Sequence, residues 1–279
     1  LSGEEYRQAV NEYQDVSVGN QPGGSTDWQS RSMRTTLLHS HNLSLSGGTE
    51  NSQYRASLNY SDQQGLFANS ALERTSARIN ANHSTLDDRL RFNLNVMGSF
   101  LQRNHTFYNQ AGGFQGGVMK GVIGFDPRRP VRQDGSYNEY SRNIRNPVAL
   151  LEQVTDITDQ KRAIANFSTE VDLLENLTVE GTFGADVQDG IRRSYVPNAS
   201  SVGGEVGGIA VQSERNISNL VAQTTVRYNR DLLDGAHSVR FLGGTEYKQE
   251  TFQELGIEGQ NFITDATLYN RLQSAQNVQ

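Results

Sequence analysis

The feature that most constrains this chain is a two-residue rhythm in His41–Asn82, HNLSLSGGTENSQYRASLNYSDQQGLFANSALERTSARINAN. In Ser40–Gly47, Leu43 and Leu45 alternate with Asn42, Ser44 and Ser46. In Gln53–Ser61, Tyr54, Ala56, Leu58 and Tyr60 alternate with Arg55, Ser57, Asn59 and Ser61. In Arg74–Asn82, Ala77, Ile79 and Ala81 alternate with Ser76, Arg78, Asn80 and Asn82. Successive strand side chains point to opposite faces, so each stretch predicts a strand with one apolar and one wet face. A soluble sandwich has the same rhythm, so periodicity alone leaves both folds open.

The links between strands separate the two folds. A tight Gly47–Asn51 turn joins the first pair, and Asp62–Glu73 makes a longer connection to the third strand. Ser84–Arg89 is again short and leads into Leu90–Gln102, where Leu90, Phe92, Leu94, Val96, Gly98 and Phe100 share a face. A segment from Arg103 to Asp159 has no sustained strand pattern. Strands resume over Arg162–Leu173 and Leu177–Asp189, joined by Leu174-Glu175-Asn176. A long link, Gly190–Glu214, precedes a strand at roughly 216–230, and Leu232–Ala236 turns into a strand over His237–Glu250. The tail from Thr251 loses the rhythm and reads as another long loop. Short and long links therefore alternate, with Gly-Gly, Asp-Asp, Glu-Asn and Asp-Gly at the short ones. One sheet end then carries only turns and the other all the elaboration, which is how an outer-membrane barrel is laid out. A structureless 103–159 insertion would count against a compact soluble domain, whereas a barrel accepts it as an outer loop.

Composition is compatible with this. Hydrophobic residues make up only 35%, yet in a barrel wall only every second strand residue meets lipid. The mean hydropathy is −0.63, and no apolar run approaches the about 20 residues of a membrane helix. A net charge of −6 argues against nucleic acid, and the absence of cysteine excludes disulfides and thiolate metal sites. The chain opens on Leu1 without a signal peptide and reads as a mature or internal piece of something longer. Residues 1–38 read as a helix-and-loop lead-in, with Ser2 as a cap before Tyr6, Ala9, Val10 and Tyr13, and 103–159 as the long outer loop. Asn146-Pro147 starts a short helix within that loop. The whole of 1–279 reads as one domain.

The residues argue against an enzyme. His39, His41, His83, His105 and His237 form no zinc motif, although His39 and His41 share a strand face. Gly112-Gly113-Phe114-Gln115-Gly116-Gly117 lacks the Lys-Ser/Thr of a phosphate loop. No cofactor is expected; Gln133–Glu139 offers oxygens for a loop calcium without the spacing of an EF-hand. Trp28 is read as loop packing, with an interfacial aromatic as the alternative. The Asn-x-Ser/Thr triplets at Asn42, Asn59, Asn82, Asn166 and Asn216 follow from filling a wet face with Asn, Ser and Thr.

The functional candidates are wall and loop groups. Arg55, Arg78, Arg91, Glu170, Asp172, Glu180, Asp186, Arg240, Glu246 and Lys248 lie on the wet face and in a barrel would line the lumen. Phe107, Tyr108, Phe114, Tyr137 and Tyr140 sit in the long loop, where they would contact a ligand or a lid, or pack the loop on itself.

Thr26-Asp27-Trp28-Gln29, His41–Gly48, Tyr54–Tyr60 and Gln64-Gly65 resemble the SusC/RagA group of TonB-dependent outer-membrane transporters. Asp134-Gly135-Ser136-Tyr137 and Asn146-Pro147-Val148 are similar to that group's long outer loop. The resemblance covers most of Leu1–Glu250 and is most specific over Thr26–Arg78. It implies an antiparallel transmembrane barrel of about 22 strands enclosing a plug, of which this all-β chain supplies about eight. It also implies coupling to TonB through an N-terminal region, a SusD-like surface lipoprotein as lid, contact with outer-membrane lipid, and uptake of glycans, peptides or similar large solutes. Plug, TonB-contacting segment and remaining strands are not found in the chain and are expected in the same natural polypeptide. The rival expectations are a structural or adhesive barrel and a soluble all-β carbohydrate-binding module.

Overall fold

The computed structural model describes residues 2–13, 23–107, 117–233 and 236–279. Two helices, α1 (Gly3–Tyr13) and α2 (Trp28–Ser32), lead into β1 (Leu38–Gly48), β2 (Ser52–Gln64), β3 (Ala71–Thr85) and β4 (Leu90–Asn104). The long link holds α3 (Val118–Gly124), a small hairpin of β5 (Arg132–Gln133) and β6 (Ser136–Tyr137), and α4 (Pro147–Gln153). Then come β7 (Thr155–Leu174), β8 (Leu177–Val196), β9 (Ile209–Leu232), β10 (His237–Phe262) and β11 (Ala275–Val278). Among the described residues nine strands form one antiparallel sheet in the order β1-β2-β3-β4-β7-β8-β9-β10-β11.

Cross-strand register turns the local rhythm into a two-faced wall, because directly opposed residues share a face. One row runs Gly47–Tyr54–Ala81–Leu94–Phe167–Phe183–Ala222–Tyr247. The next runs Leu45–Ala56–Ile79–Val96–Ala165–Ala185–Leu220. Between them on the other face lies Ser46–Arg55–Asn80–Asn95–Asn166. A soluble sandwich would bury its apolar face against a second sheet, yet Leu43, Leu45 and Phe241 are 72%, 66% and 60% exposed. The buried residues lie elsewhere, at the end of the sheet that bears the long links. Phe67, Val118, Val122, Leu150, Leu151, Val154 and Val196 form one cluster there, and Trp28, Phe125 and Val148 a second.

Several expectations change in extent. The rhythm-free tail from Thr251 is not a loop at first: β10 continues to Phe262, and β11 then pairs with it at Gly259, Gln260 and Phe262. The link expected over Gly190–Glu214 shrinks, since β8 reaches Val196 and β9 starts at Ile209. The patternless 103–159 segment contains two short helices and a hairpin, and β7 begins at Thr155. In each case the missed strand lies near the elaborated end, where apolar and polar residues mix on both faces, as Phe252 and Leu255 do on β10, and pairing goes on without amphipathic alternation. The Asp234-Gly235 turn, Tyr108, Phe114 and the Gly112–Gln115 run lie outside the described residues.

Local chemistry explains the ends of the helices. Ser2 and Glu5 form a reciprocal capping box: Ser2 Oγ accepts from the Glu5 amide at 3.2 Å, and the Ser2 amide donates to Glu5 Oε2 at 2.7 Å. Asp27 caps α2 by accepting from the Ser30 amide at 3.0 Å. Asn146 caps α4, accepting from the amides of Val148 and Ala149, and its own amide donates to the carbonyls of Val131 and Asn138. It is fully buried, with Pro147 at the first helical position. Asn146→Ala removes both the cap and two buried hydrogen bonds. It should cost about 2 kcal/mol, seen as roughly thirtyfold lower amide protection over residues 148–153 by hydrogen exchange. Unchanged protection would mean that packing alone holds α4.

Candidate functional site

All ten charged candidates fall on the same face of the sheet, opposite the apolar rows. Arg91, Glu170 and Glu180 are consecutive members of one row across β4, β7 and β8. Asp172, Thr178 and Arg227 form the adjacent row, nearer the short turns. Their side chains close into a network. Arg91 pairs with Glu170 and, at 2.8 Å, with Asp172. Arg227 reaches Glu170 at 2.6 Å and Glu180 at 3.5 Å, and the Thr178 hydroxyl donates to Asp172 at 2.7 Å. Further along β7, Arg162 makes a two-pronged contact with Asp186 at 2.9 and 2.6 Å. On β10, Lys248 pairs with Glu250 at 2.5 Å, and Glu246 accepts from the Gln223 amide. Arg78 donates to the Met97 sulfur at 3.3 Å.

The sequence reading missed Arg227, which completes this network, and Arg162, the partner of Asp186. Both lie in strands whose faces were legible, but an ion pair across strands depends on register, which a single strand does not reveal. The network stitches β4, β7, β8 and β9 together near their short turns. These groups are partly solvated, so each contact is modest. Glu170, with two arginines on it, matters most. Glu170→Gln should cost about 1–2 kcal/mol in resistance to denaturation, and the Arg227→Gln effect should shrink in that background. Additive losses would show that the pairs do not act together.

The loop candidates divide. Phe107 packs against the Phe67–Val196 cluster, and Tyr137 against the Trp28 cluster. The Tyr137 hydroxyl also bridges Glu152 and Arg132. Tyr140 is the exposed one, set edge-on to Phe125 with ring centres 4.8 Å apart and with Arg129 4.4 Å over its ring. Trp28 is buried, stacks edge-on Phe125 and donates its Nε1 to the Asp126 carbonyl at 3.2 Å, so it is loop packing as expected. The oxygen-rich Gln133–Glu139 run is a hairpin. Asp134 and Gly135 take the two positive-φ positions of its turn, at 53° and 82°. Asn138 donates to Gln133, while Glu139 accepts from the Asn146 amide and the Ser201 hydroxyl.

At the elaborated end, Asp126 and Glu139 have acidities displaced in opposite directions. Burial would raise Asp126, but hydrogen bonds from Arg128 outweigh it and hold the group below the usual range. Burial raises Glu139, only partly offset by Ser201, Asn146 and Arg145. A raised carboxyl binds its proton more tightly in the folded state, so its contribution is full at acid pH and is lost as pH rises. Amide protection at this end in wild type, corrected for intrinsic exchange, should therefore fall as pH climbs from the ordinary glutamate range towards neutrality. Glu139→Gln should flatten that slope; an unchanged slope would assign it to another group.

No family model matches the chain. TonB-dependent receptor P3 of Formosa agariphila is 30% identical over 276 residues, which are 96% of this chain and 26% of that protein. TonB-dependent receptor SusC of Bacteroides thetaiotaomicron is 26% identical over 287 residues, 92% of this chain and 27% of that protein. The chain thus spans about a quarter of the length of these relatives. Among solved structures, that of the RagAB peptide transporter superposes with a TM-score of 0.71 at 18% identity, covering 99% of this chain and 32% of that one. The RagAB peptide importer in its closed-closed state gives 0.71 at 19% identity, covering 96% and 31%. The two-faced antiparallel sheet is therefore barrel wall, and by sequence over nearly its whole length the chain is related to the SusC/RagA-type TonB-dependent receptors.

Proposed function

We propose that this chain is the barrel-wall part of an outer-membrane TonB-dependent nutrient importer that takes up glycans, peptides or similar large solutes. The observation that carries the reading is the registered wall. Eight long strands hold apolar side chains on one face and polar ones on the other, and the long links sit at one end. In lipid every backbone polar group needs an internal partner, which a closed ladder provides. The exposed apolar rows then meet the bilayer of the bacterial outer membrane. The face with Arg55, Arg78, Arg91, Glu170, Asp172, Glu180, Asp186, Arg240, Glu246 and Lys248 meets the lumen.

The elaborated end, with its apolar clusters and the exposed Tyr140, is the outer surface on which cargo and a SusD-like lipoprotein lid would dock. A plug filling the lumen and a segment contacting TonB would lie in other parts of the receptor. This chain supplies wall and loop rather than chemistry, so binding precedes a gating step powered from the inner membrane. The test is uptake of labelled glycans and peptides too large for general porins by cells carrying the full-length receptor. Uptake should require the receptor and vanish when TonB is removed. Uptake indifferent to TonB, or a receptor that moves no large solute, would favour a structural or adhesive barrel.

A further inference from the structure

Charge is not spread evenly over the wet face. On β1 to β4 that face holds Arg55, Arg74, Arg78, Arg91 and Arg103 and not one carboxylate; the acids of these strands, Asp62 and Glu73, sit on the opposite face. The carboxylates begin on β7, where Glu170 and Asp172 engage Arg91. Among the described residues, Arg55, Arg74, Arg78 and Arg103 form no salt bridge, and Arg55, Arg74 and Arg78 are exposed. Uncharged residues lie opposite them: Arg55 faces Ser46 and Asn80, Arg78 faces Ser57 and Met97, Arg74 faces Ser61 and Leu101, and Arg103 faces Leu72 and Thr158.

Their placement is longitudinal. Arg103 lies opposite Leu72 at the elaborated end, Arg74 comes one row further, Arg78 two rows beyond it, and Arg55 faces Asn80 in the next row. Rows on one face are about 7 Å apart, so the four guanidinium groups are strung over roughly 25–30 Å from the long links towards the short turns. On β7 to β9 the wet-face arginines each meet an acid: Arg162 with Asp186, Arg192 with Asp156, Arg215 with Glu254 and Arg227 with Glu170; on β10 Arg240 forms no salt bridge among the described residues. Around Arg55, Arg74, Arg78 and Arg103 the positive potential is left open to whatever occupies the lumen.

We infer that β2, β3 and β4 carry an arginine ladder that guides a polyanionic cargo chain, one bearing carboxylate or sulfate groups, along the wall. This rests on the importer reading and adds the charge class of the cargo. Each guanidinium keeps its positive charge at any working pH and so attracts carboxylate and sulfate oxygens. Each exposed contact is weak and screened by salt, so a chain can hold several at once and exchange them one by one. Passage requires that combination of net attraction and easy release at each step. A ladder running along the strands fits an extended polymer, because a compact ligand would need its partners clustered at one depth.

The test uses the purified full-length receptor in detergent. The probes are fluorescein-labelled oligogalacturonate, a sulfated dextran oligomer and a maltodextrin of matched length. At low ionic strength the wild type should bind at least one anionic probe more tightly than maltodextrin, and salt should erase the difference. The combined Arg55→Gln, Arg74→Gln, Arg78→Gln and Arg103→Gln variant should bind that probe about tenfold more weakly, with a flatter salt dependence. Maltodextrin binding should not move, and the four-lysine counterpart should stay near wild type. The anionic probe that responds tells carboxylate from sulfate recognition. The ladder is refuted if the wild type shows no preference for either polyanion, if the glutamine set binds unchanged, or if lysine fails as glutamine does. It is also refuted if the glutamine set binds unchanged yet becomes leaky to large antibiotics, which would give the arginines to an internal protein partner. Failure of the importer reading itself would appear separately, as large-solute uptake indifferent to TonB.

Discussion

The structure depends on the backbone hydrogen-bond ladder that locks one strand to the next. In a hydrocarbon surrounding an unpaired amide or carbonyl costs several kcal/mol, so strands survive there only when each is flanked on both sides. Among the described residues β1 pairs on one side only, and β10 from His237 to Ile257 pairs only with β9. Both long edges therefore carry backbone groups that only a closed wall would satisfy in lipid. The same ladder sets the register that lines up Tyr54, Ala81, Leu94, Phe167, Phe183 and Ala222 across six strands. A slip of one residue in any pair would bring arginines and glutamates to the oily side.

Given that register, the two faces do different work. The apolar face needs only to be greasy, and a mixture of Leu, Val, Ala, Phe and Gly fills it without tight packing against other parts of the chain. The polar face is organised more closely. Acid and base meet on β7, β8 and β9, where Arg91, Arg162 and Arg227 are absorbed by Glu170, Asp172, Glu180 and Asp186. On β2 to β4 the cations are left over. Packing in the soluble sense is confined to the elaborated end, where Asn146, Trp28 and Phe125 tie loop segments into a small cap with a core of its own.

How much of this was legible in the sequence follows from which side of each strand meets water. Where one side is oily, the period of two shows through, and β1 to β4 and the inner halves of β7 to β10 were placed from residues alone. Where apolar and polar residues mix on both sides, in Gly190–Val196, Ile209–Arg215 and Thr251–Phe262, pairing persists but the rhythm does not, and the sequence pattern stops short of the strand ends. The ten charged groups could be assigned to one face for the same reason that the strands could be found. Their pairing could not, because Arg227 meets Glu170 only through the intervening β8. The loop aromatics were the least legible: side-chain type does not say whether Phe107 packs half-buried against the Val118 cluster or Tyr140 is turned outward.

The central claim is that the row through Leu94 and Phe183 faces lipid while the row through Asn93 and Thr182 faces water. Power saturation of nitroxide labels in the membrane-reconstituted receptor, with oxygen as the apolar collider and a nickel chelate as the polar one, reads this directly. Labels at Leu94, Phe183 and Phe241 should be reached by oxygen and shielded from nickel, and labels at Asn93, Thr182 and Arg240 should show the reverse. Equal accessibility of the two sets, or an apolar set sealed from both colliders, would contradict a membrane-spanning wall.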